Sequence, residues 1–260
     1  MNLSVRIQSS RLPAKGDGGA PFSLDIELEA SPGITILFGP SGCGKSTTLA
    51  MIAGLARPDS GRIALGDEVW FDSERGIDVP PDARRVAFVF QSLALFPHMT
   101  AGRNVMYGMD RALSGVEKRQ RAGALLDRLK VGHLIDRKPG TFSGGEAQRV
   151  ALARAFATSP RVALFDEPFS AMDRQLRKEL VTDVRAFVGE LGIPLVHVTH
   201  QRNEARALSD HIVLLEAGRV VRRGRARDLL PRDPDRDMSF DETPLGDPLR
   251  ELDIAALRRP

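Results

Sequence analysis

Three observations in the sequence together predict an α/β fold. Short apolar runs rich in β-branched residues recur along the chain: GITILFG at 33–39, RRVAFVFQ at 84–91, RVALFDEP at 161–168 and PLVHVTH at 194–200. Stretches of helical period separate them, the alternation expected of a largely parallel sheet covered by helices. The third observation is FGPSGCGKST at 38–47, which crowds glycine and proline between one such strand and the helix that follows. Neither a helix interior nor a buried strand gains from that composition.

In chain order, FSLDIELEA (22–30) alternates apolar and polar residues, as a half-buried strand does, and opens an antiparallel β-region at the N-terminal end. STTLAMIAGLARP (46–58) carries apolar residues at helical spacing and stops at Gly54 and Pro58. Residues 110–138 and 143–158 are read as helical, so the stretch from about 97 to 158 forms a helical subdomain inserted into the sheet. HIVLLEAGRVV (211–221) reads as a hairpin turned at Ala217–Gly218. The catalytic-type domain is placed at 1–224. From 225 onward Arg, Asp and Pro dominate, which reads as a polar tail, with a terminal helix over 247–259 that has Asp247 as N-cap and Pro248 in its first turn.

With 42% hydrophobic and 27% charged residues, the 260-residue chain has the composition of an ordinary soluble globular protein. It contains no apolar run near the roughly 18 residues a membrane span needs. MNLSVRIQSS lacks the apolar centre of a signal peptide. Its single cysteine excludes an internal disulfide. The net charge of +3 comes from 37 basic and 34 acidic residues that are interleaved rather than blocked, so nucleic acid is not an expected partner.

The segment Gly39-Pro40-Ser41-Gly42-Cys43-Gly44-Lys45-Ser46, followed by Thr47, fits the pattern G-x-x-x-x-G-K-[ST]. Between strand and helix, its backbone N–H groups form an anion nest, and the helix N-terminus adds partial positive charge. Lys45 reaches phosphate oxygens and Ser46 is placed to ligate Mg²⁺. The fold class therefore sharpens to a P-loop NTPase core sheet. The glycines are read as bare so that phosphates can approach. Cys43, beside Lys45 and a helix N-terminus, is read as an accessible thiol of thiolate character, against the alternative of a small, buried, inert residue.

A phosphate loop needs a carboxylate for its metal, and VALFDE supplies Asp166 at a strand end with Glu167 beside it. Asp166 suits the metal and Glu167 suits a general base; two acids capping a helix is the alternative. FSGGEAQRVALARA (142–155) sets Ser143, Gly144 and Gly145 before a helix, either as a second anion site or as an ordinary N-cap.

In order along the chain stand the phosphate loop, VFQ ending at Gln91, FSGGE at 142–146, VALFDEP at 162–168, SAMD at 170–173 and VTH ending at His200. This ordered set resembles the nucleotide-binding subunits of ATP-binding cassette (ABC) transporters, over about residues 20–224. The resemblance implies ATP and Mg²⁺ as cofactors and ATP hydrolysis as the activity. It implies that Gln91 senses the metal and the attacking water, and that His200 bonds the γ-phosphate and the region of Glu167. It further implies that Ser143, Gly144 and Gly145 cap the phosphate held by a second copy, and that Asp173 contacts that copy. The implied partners are a homodimer of cassettes, integral membrane permease subunits and, indirectly, a solute-binding protein, at the cytoplasmic face of the membrane. SLALFPHMTAGRNVMYGM after Gln91 is similar to importer cassettes, with Phe96, Pro97 and His98 either lining the groove for the permease or only shaping the hinge into the helical subdomain. WFDSERGIDVPPDARRVAFVFQ (70–91) is similar to molybdate-type cassettes, so the implied solute is an oxyanion such as molybdate. The alternatives are sulfate, polyamine, sugar or iron as the solute, or a soluble ABC ATPase outside transport.

The sequence departs from that family's pattern at two points. SSRLPAKGDGG, where an aromatic residue would stack on adenine, has none; Phe22 is the nearest and is expected to face the core. The tail after 225 is too short and polar for the C-terminal β-domain usual in molybdate-type cassettes, so regulation by that route is not expected.

Overall fold

A computed structural model describes residues 1–11, 22–169, 172 and 174–230. Eleven strands among these residues join in one sheet, half antiparallel and half parallel. The antiparallel half contains β1 (Leu3–Arg11), β2 (Phe22–Ala30), β4 (Ser60–Leu65), β5 (Glu68–Asp72) and the short β6 (Ile77–Asp78). Period-2 alternation sets its register. Leu3, Val5 and Ile7 of β1 and Leu24, Ile26 and Leu28 of β2 all point inward, while Arg6 and Glu27 meet on the outer face at 2.7 Å. A slip of one residue would turn all of them over. β1 itself was not anticipated, although LSVRI carries the same alternation as β2.

In the parallel half, β3 (Gly33–Phe38) lies between β9 (Pro194–Thr199) and β10 (His211–Glu216); β9 pairs with β8 (Val162–Asp166), and β8 with β7 (Val86–Val89) at the edge. These strands are apolar because both faces are covered. Ile34, Ile36 and Phe38 face one core, shared with the helices α4 (Gly144–Phe156) and α5 (Arg174–Leu191). Leu37 faces a second core with α1 (Lys45–Ala53) and the antiparallel strands. The expected hairpin is present: β10 turns into β11 (Arg219–Gly224) through Ala217 and Gly218, both at positive φ as a two-residue turn requires.

Three helices intervene between β7 and its direct neighbour β8: α2 (Ala101–Met106), α3 (Gly115–Arg128) and α4. Val105, Leu126 and Val150 from them join the core that holds Ile36 and Phe165, so the insertion shares its interior with the sheet. The expected helical run 110–138 is a single helix of 14 residues, opened by a Ser114–Glu117 capping box. Its end is marked by Lys130, whose left-handed φ of 62° turns the chain out of the helix while Lys130 N–H bonds Asp127 O at 2.9 Å and Val131 N–H bonds Leu126 O at 2.8 Å. Pro139 begins a separate 3-10 turn. The described residues continue in the fold past 224. The helices α6 (Arg202–Leu208) and α7 (Ala226–Leu229) lead to Leu229 and Leu230, which are buried in the main core. The expected helix at 247–259 lies outside the described residues. Among the described residues no helix is long and apolar enough to cross a membrane.

One buried cation holds the helix behind the phosphate loop. Arg84 is 1% exposed, and its guanidinium donates to the carbonyls of Met51 and Ile52 at the C-terminal end of α1. It also reaches Val79 O and Asp78. Gly54 closes the helix at φ 78°, and a Cβ there would lie 2.9 Å from Arg84 Cζ. Arg84→Met keeps the volume but strands those carbonyls and leaves Asp78 without its guanidinium. The expected loss is about 3 kcal/mol, a fall of roughly 6–12 °C in Tm; a thermal melt unchanged to within about a degree would refute this role.

Candidate functional site

β3, β9, β8 and β7 run parallel and end nearly level, since Phe38 pairs with Thr199, Val198 with Asp166 and Phe165 with Val89. The segments that leave their C-terminal ends therefore share one edge of the sheet, where open α/β sheets form their binding crevices. The phosphate loop follows β3, His200 follows β9, Glu167 follows β8 and Gln91 follows β7. Asp166 is the last residue of β8.

In the loop itself, the Lys45 ammonium is almost fully buried and donates to Gly39 O at 2.8 Å and Pro40 O at 2.7 Å. Thr48 Oγ1 donates back to Gly44 O at 2.8 Å. α1 has no side-chain cap and no acid in its first turn, so its N-terminal amides face the loop with their partial positive charge uncompensated by the helix's own side chains. Ser41, Gly42 and Ser46 are exposed on this surface and Thr47 is half-buried. The glycines are bare for reasons the sequence did not separate. A Cβ at Gly39 would lie 2.3 Å from Leu215 O, and one at Gly44, which has φ 102°, would lie 2.3 Å from Leu24. Only Gly42, at φ 79°, borders open space. Internal packing thus demands two of the three glycines before any ligand does. Phe22 packs against the core as expected, with its ring edge at Gly44.

The expectation for Cys43 is overturned. Its side chain is 3% exposed, and burial pushes the thiol above its ordinary value despite Lys45 nearby. Sγ packs toward Gly39 in the core beneath the loop, where a low dielectric disfavours the thiolate more than the ammonium favours it.

The Ser46 hydroxyl donates to Asp166 Oδ1 at 2.8 Å, joining two residues 120 positions apart. Burial raises the Asp166 carboxyl above its ordinary value against the bond from Ser46, and the charge of Glu167 adds to the rise. A half-buried carboxylate whose anion is disfavoured in this way gains from an added cation. Hydroxyl and carboxylate oxygens are the donors a hard divalent ion takes, and Mg²⁺ commonly uses only one or two protein oxygens beside phosphate. The residues present therefore fit Mg²⁺ with a phosphate ligand; among the described residues there is no larger cluster of metal-ligating side chains.

Glu167 sits at φ 46°, in the left-handed region, with its N–H bonded to Val198 O at 3.1 Å. This turn ends the strand geometry of β8 and puts Glu167 Oε2 3.1 Å from His200 Nδ1. The bond from His200 holds the Glu167 carboxyl below its ordinary value, and the same bond raises His200, in each case against burial. The pair thus keeps Glu167 ionised while it remains partly exposed to the crevice.

Ser143, Gly144 and Gly145 open α4, and Ser143 is a helix cap. Glu146 N donates to Ser143 Oγ at 3.3 Å, and Ser143 N–H donates to Glu146 Oε2 at 2.7 Å. The Ser143 hydroxyl also reaches that oxygen at 2.8 Å. His133 Nε2 lies 3.1 Å from Glu146 Oε1. Gly145 needs its bareness, since a Cβ would lie 2.2 Å from Leu176; around Gly144 the space is open. Gln91 is exposed in the turn after β7. Asp173 lies outside the described residues.

Behind the crevice is a pair that sequence reasoning missed. His197 of β9, fully buried, sets Nε2 2.5 Å from Glu204 Oε1 on α6, so the His200 turn is tied at both ends. The signal was a polar residue inside a strand otherwise buried along its whole length. Arg177 of α5 was missed as well; it donates to the carbonyls of Phe169 and Met172 and to the Gln201 side chain.

A family described as ABC transporter matches residues 24–170. The molybdenum import ATP-binding protein ModC of Brucella melitensis is 43% identical over 217 residues, which cover 84% of this chain and 60% of that protein. ModC 1 of Azotobacter vinelandii is 42% identical over 214 residues, covering 82% and 59%. The chain thus spans about 60% of the length of these curated relatives. Among solved structures, the dimeric post-hydrolysis state of the ATP-binding cassette MJ0796 bound to ADP and Pi aligns with a TM-score of 0.74 at 30% identity, over 87% of this chain and 99% of that one.

The capping box gives a pH test. Bonds from Ser143, reinforced by His133, bring the Glu146 carboxyl from 4.5 down to about 2. A depressed carboxylate stabilises the fold fully above its unfolded value and loses that contribution as pH falls toward its folded value. Glu146→Gln should therefore melt below wild type at pH 6, with the gap closing between pH 4.5 and pH 2. Melts of the two proteins across that range check the sign, and a gap that widens with acid would refute it.

Proposed function

This chain belongs to the ABC transporter family, and from that premise we propose that it is the ATP-hydrolysing subunit of an importer, working in pairs beneath a membrane permease. The observation that carries the reading is the convergence at one sheet edge of an uncapped phosphate loop, the Ser46–Asp166 oxygen pair and the Glu167–His200 pair. Molybdate or a similar oxyanion is the solute favoured by the names of the relatives.

Each residue has a part that follows from its chemistry. The amides of residues 39–47 bind the phosphates of ATP, and Lys45 exchanges its two loop carbonyls for phosphate oxygens. Ser46 and Asp166 would hold Mg²⁺, which would neutralise charge on the phosphate oxygens. Gln91, at the neighbouring strand end, orients groups around that ion. Glu167, kept ionised by His200, accepts a proton from the attacking water. His200 is left with an imidazole edge to bond the γ-phosphate.

The second anion site needs a second copy. Ser143 and the two glycines stand at the start of α4, one of the inserted helices, and two-fold pairing lets each copy present them to the other's nucleotide. The dimeric state of the structural relative supports this arrangement. ATP then shifts a monomer–dimer population toward the dimer, and hydrolysis releases it. Phe96, Pro97 and His98, with the exposed Tyr107 ring tilted against Phe96 at 4.6 Å between centroids, form the apolar and aromatic surface offered to the permease. Asn104 holds that loop with four bonds to Phe96, Met99 and Thr100. The peripheral position at the cytoplasmic face and the solute-binding protein belong to the same proposal.

Glu167→Gln should bind MgATP, lose at least about 100-fold in turnover and elute as a dimer with ATP. A variant that stays monomeric and hydrolyses at the wild-type rate would reject Glu167 as the base. Shared sites are tested by mixing inactive Lys45→Ala with inactive Ser143→Arg. A mixed dimer regains one intact site and should recover up to about half of the activity of a wild-type site pair. Demonstrated mixed dimers with no recovery would argue against shared sites.

A further inference from the structure

The chain after Gln91 adopts an unusual conformation. Leu93 and Ala94 are consecutive non-glycine residues at φ 59° and 46°, in the left-handed region that L-residues enter only when their surroundings impose it. Two local bonds shape the turn, Leu93 N–H to Phe90 O at 2.9 Å and Ala94 N–H to Ser92 O at 2.7 Å. Both residues direct their carbonyls at one side chain. Arg154 Nη1 donates to Ala94 O at 2.6 Å and Nη2 donates to Leu93 O at 2.7 Å. The same guanidinium lies 5.5 Å from the centroid of the Phe96 ring, farther along the loop. No ion pair to a carboxylate engages Arg154 among the described residues, so its charge is met by these carbonyls and the ring. Arg154 belongs to the last turn of α4, the helix that Ser143 caps at its other end.

We infer that Arg154 is a positioning residue for ATP hydrolysis: its guanidinium clasps the strained turn that follows Gln91 to α4, so that Gln91 of one nucleotide site and Ser143 of the other move as one body. This rests on the function proposed above. The geometry favours arginine because the two carbonyls are met by two separate nitrogens of one rigid plane, Nη1 at Ala94 O and Nη2 at Leu93 O, whereas a lysine would bring a single nitrogen on a flexible stem. Two left-handed residues in succession have little intrinsic preference for their shape, so release of the fork lets the turn relax and takes Gln91 away from the metal. The bonds of Arg154 go to the turn itself, so its effect passes through Gln91.

The test compares wild type, Arg154→Lys and Arg154→Ala in MgATP hydrolysis, nucleotide binding and thermal melting. Arg154→Lys retains the charge and the aliphatic stem. The expected result is a kcat lowered about 10- to 100-fold, the scale on which small misplacements act, with nucleotide affinity within about twofold of wild type and the Mg²⁺ concentration for half-maximal rate raised several-fold. In Arg154→Ala, millimolar methylguanidinium should restore part of the lost kcat, which a general loss of packing would not allow. Wild-type kcat and Mg²⁺ dependence in folded Arg154→Lys would overturn the inference. Loss of its cooperative melt would overturn it too, since the guanidinium would then serve the fold itself. Wild-type protein inactive with MgATP would count against the proposed function instead. The clasp would then be read by amide hydrogen exchange, as faster exchange over 91–96 in Arg154→Lys, and unchanged exchange would overturn it.

Discussion

Parallel pairing of β3 with β9 and of β9 with β8 is the constraint on which the site depends. Each pair fixes a register, Phe38 to Thr199 and Val198 to Asp166, and with it the height at which each strand releases its chain. Strands buried on both faces cannot slide without moving side chains out of two cores at once. The loop at 39–44, Glu167 and His200 therefore meet at one edge although the chain visits them far apart. The bond from Ser46 to Asp166, across 120 residues, is the local consequence.

Electrostatics at that edge is arranged by burial as much as by pairing. Lys45 is nearly dry and satisfied by two carbonyls, Asp166 is pushed up by burial, and Glu167 is held down by His200. A dry ammonium, an uncapped helix start and a destabilised carboxylate all gain when a phosphate and a divalent cation arrive together. The Ser143 end of α4 differs, because Glu146 and His133 already satisfy its cap. One helix start has no side-chain cap, and the other carries a capping box beside an open Gly144.

Buried and half-buried arginines tie these parts to the scaffold. Arg84 closes the C-terminal end of α1, and Arg149 joins α4 to Glu179 and Asp183 of α5. Arg154 and Arg177 hold carbonyls of the segments next to the site. Guanidinium suits the work, since it stays charged when partly dehydrated and reaches several acceptors in fixed directions. In the sequence these arginines are indistinguishable from the solvated ones, because interleaved charge reads as surface.

What the sequence determined by itself is local. The G-x-x-x-x-G-K-[ST] segment, the strand period of FSLDIELEA, the hairpin turn at Ala217–Gly218 and the carboxylates closing RVALFDEP each depend on neighbours within about ten residues, and each is found where the pattern places it. A resemblance of ordered motifs brought in the remaining site residues. Tertiary structure alone decided the matters set by distant partners. Cys43 is inert because a core closes over it, and Gly39 and Gly44 are bare because Leu215 and Leu24 lie against them. His197 and Glu204 find each other only across β9 and α6. The physical reason is the same throughout: backbone preference is carried by nearest neighbours along the chain, whereas burial, dielectric and close approach are fixed by what the folded sheet brings alongside.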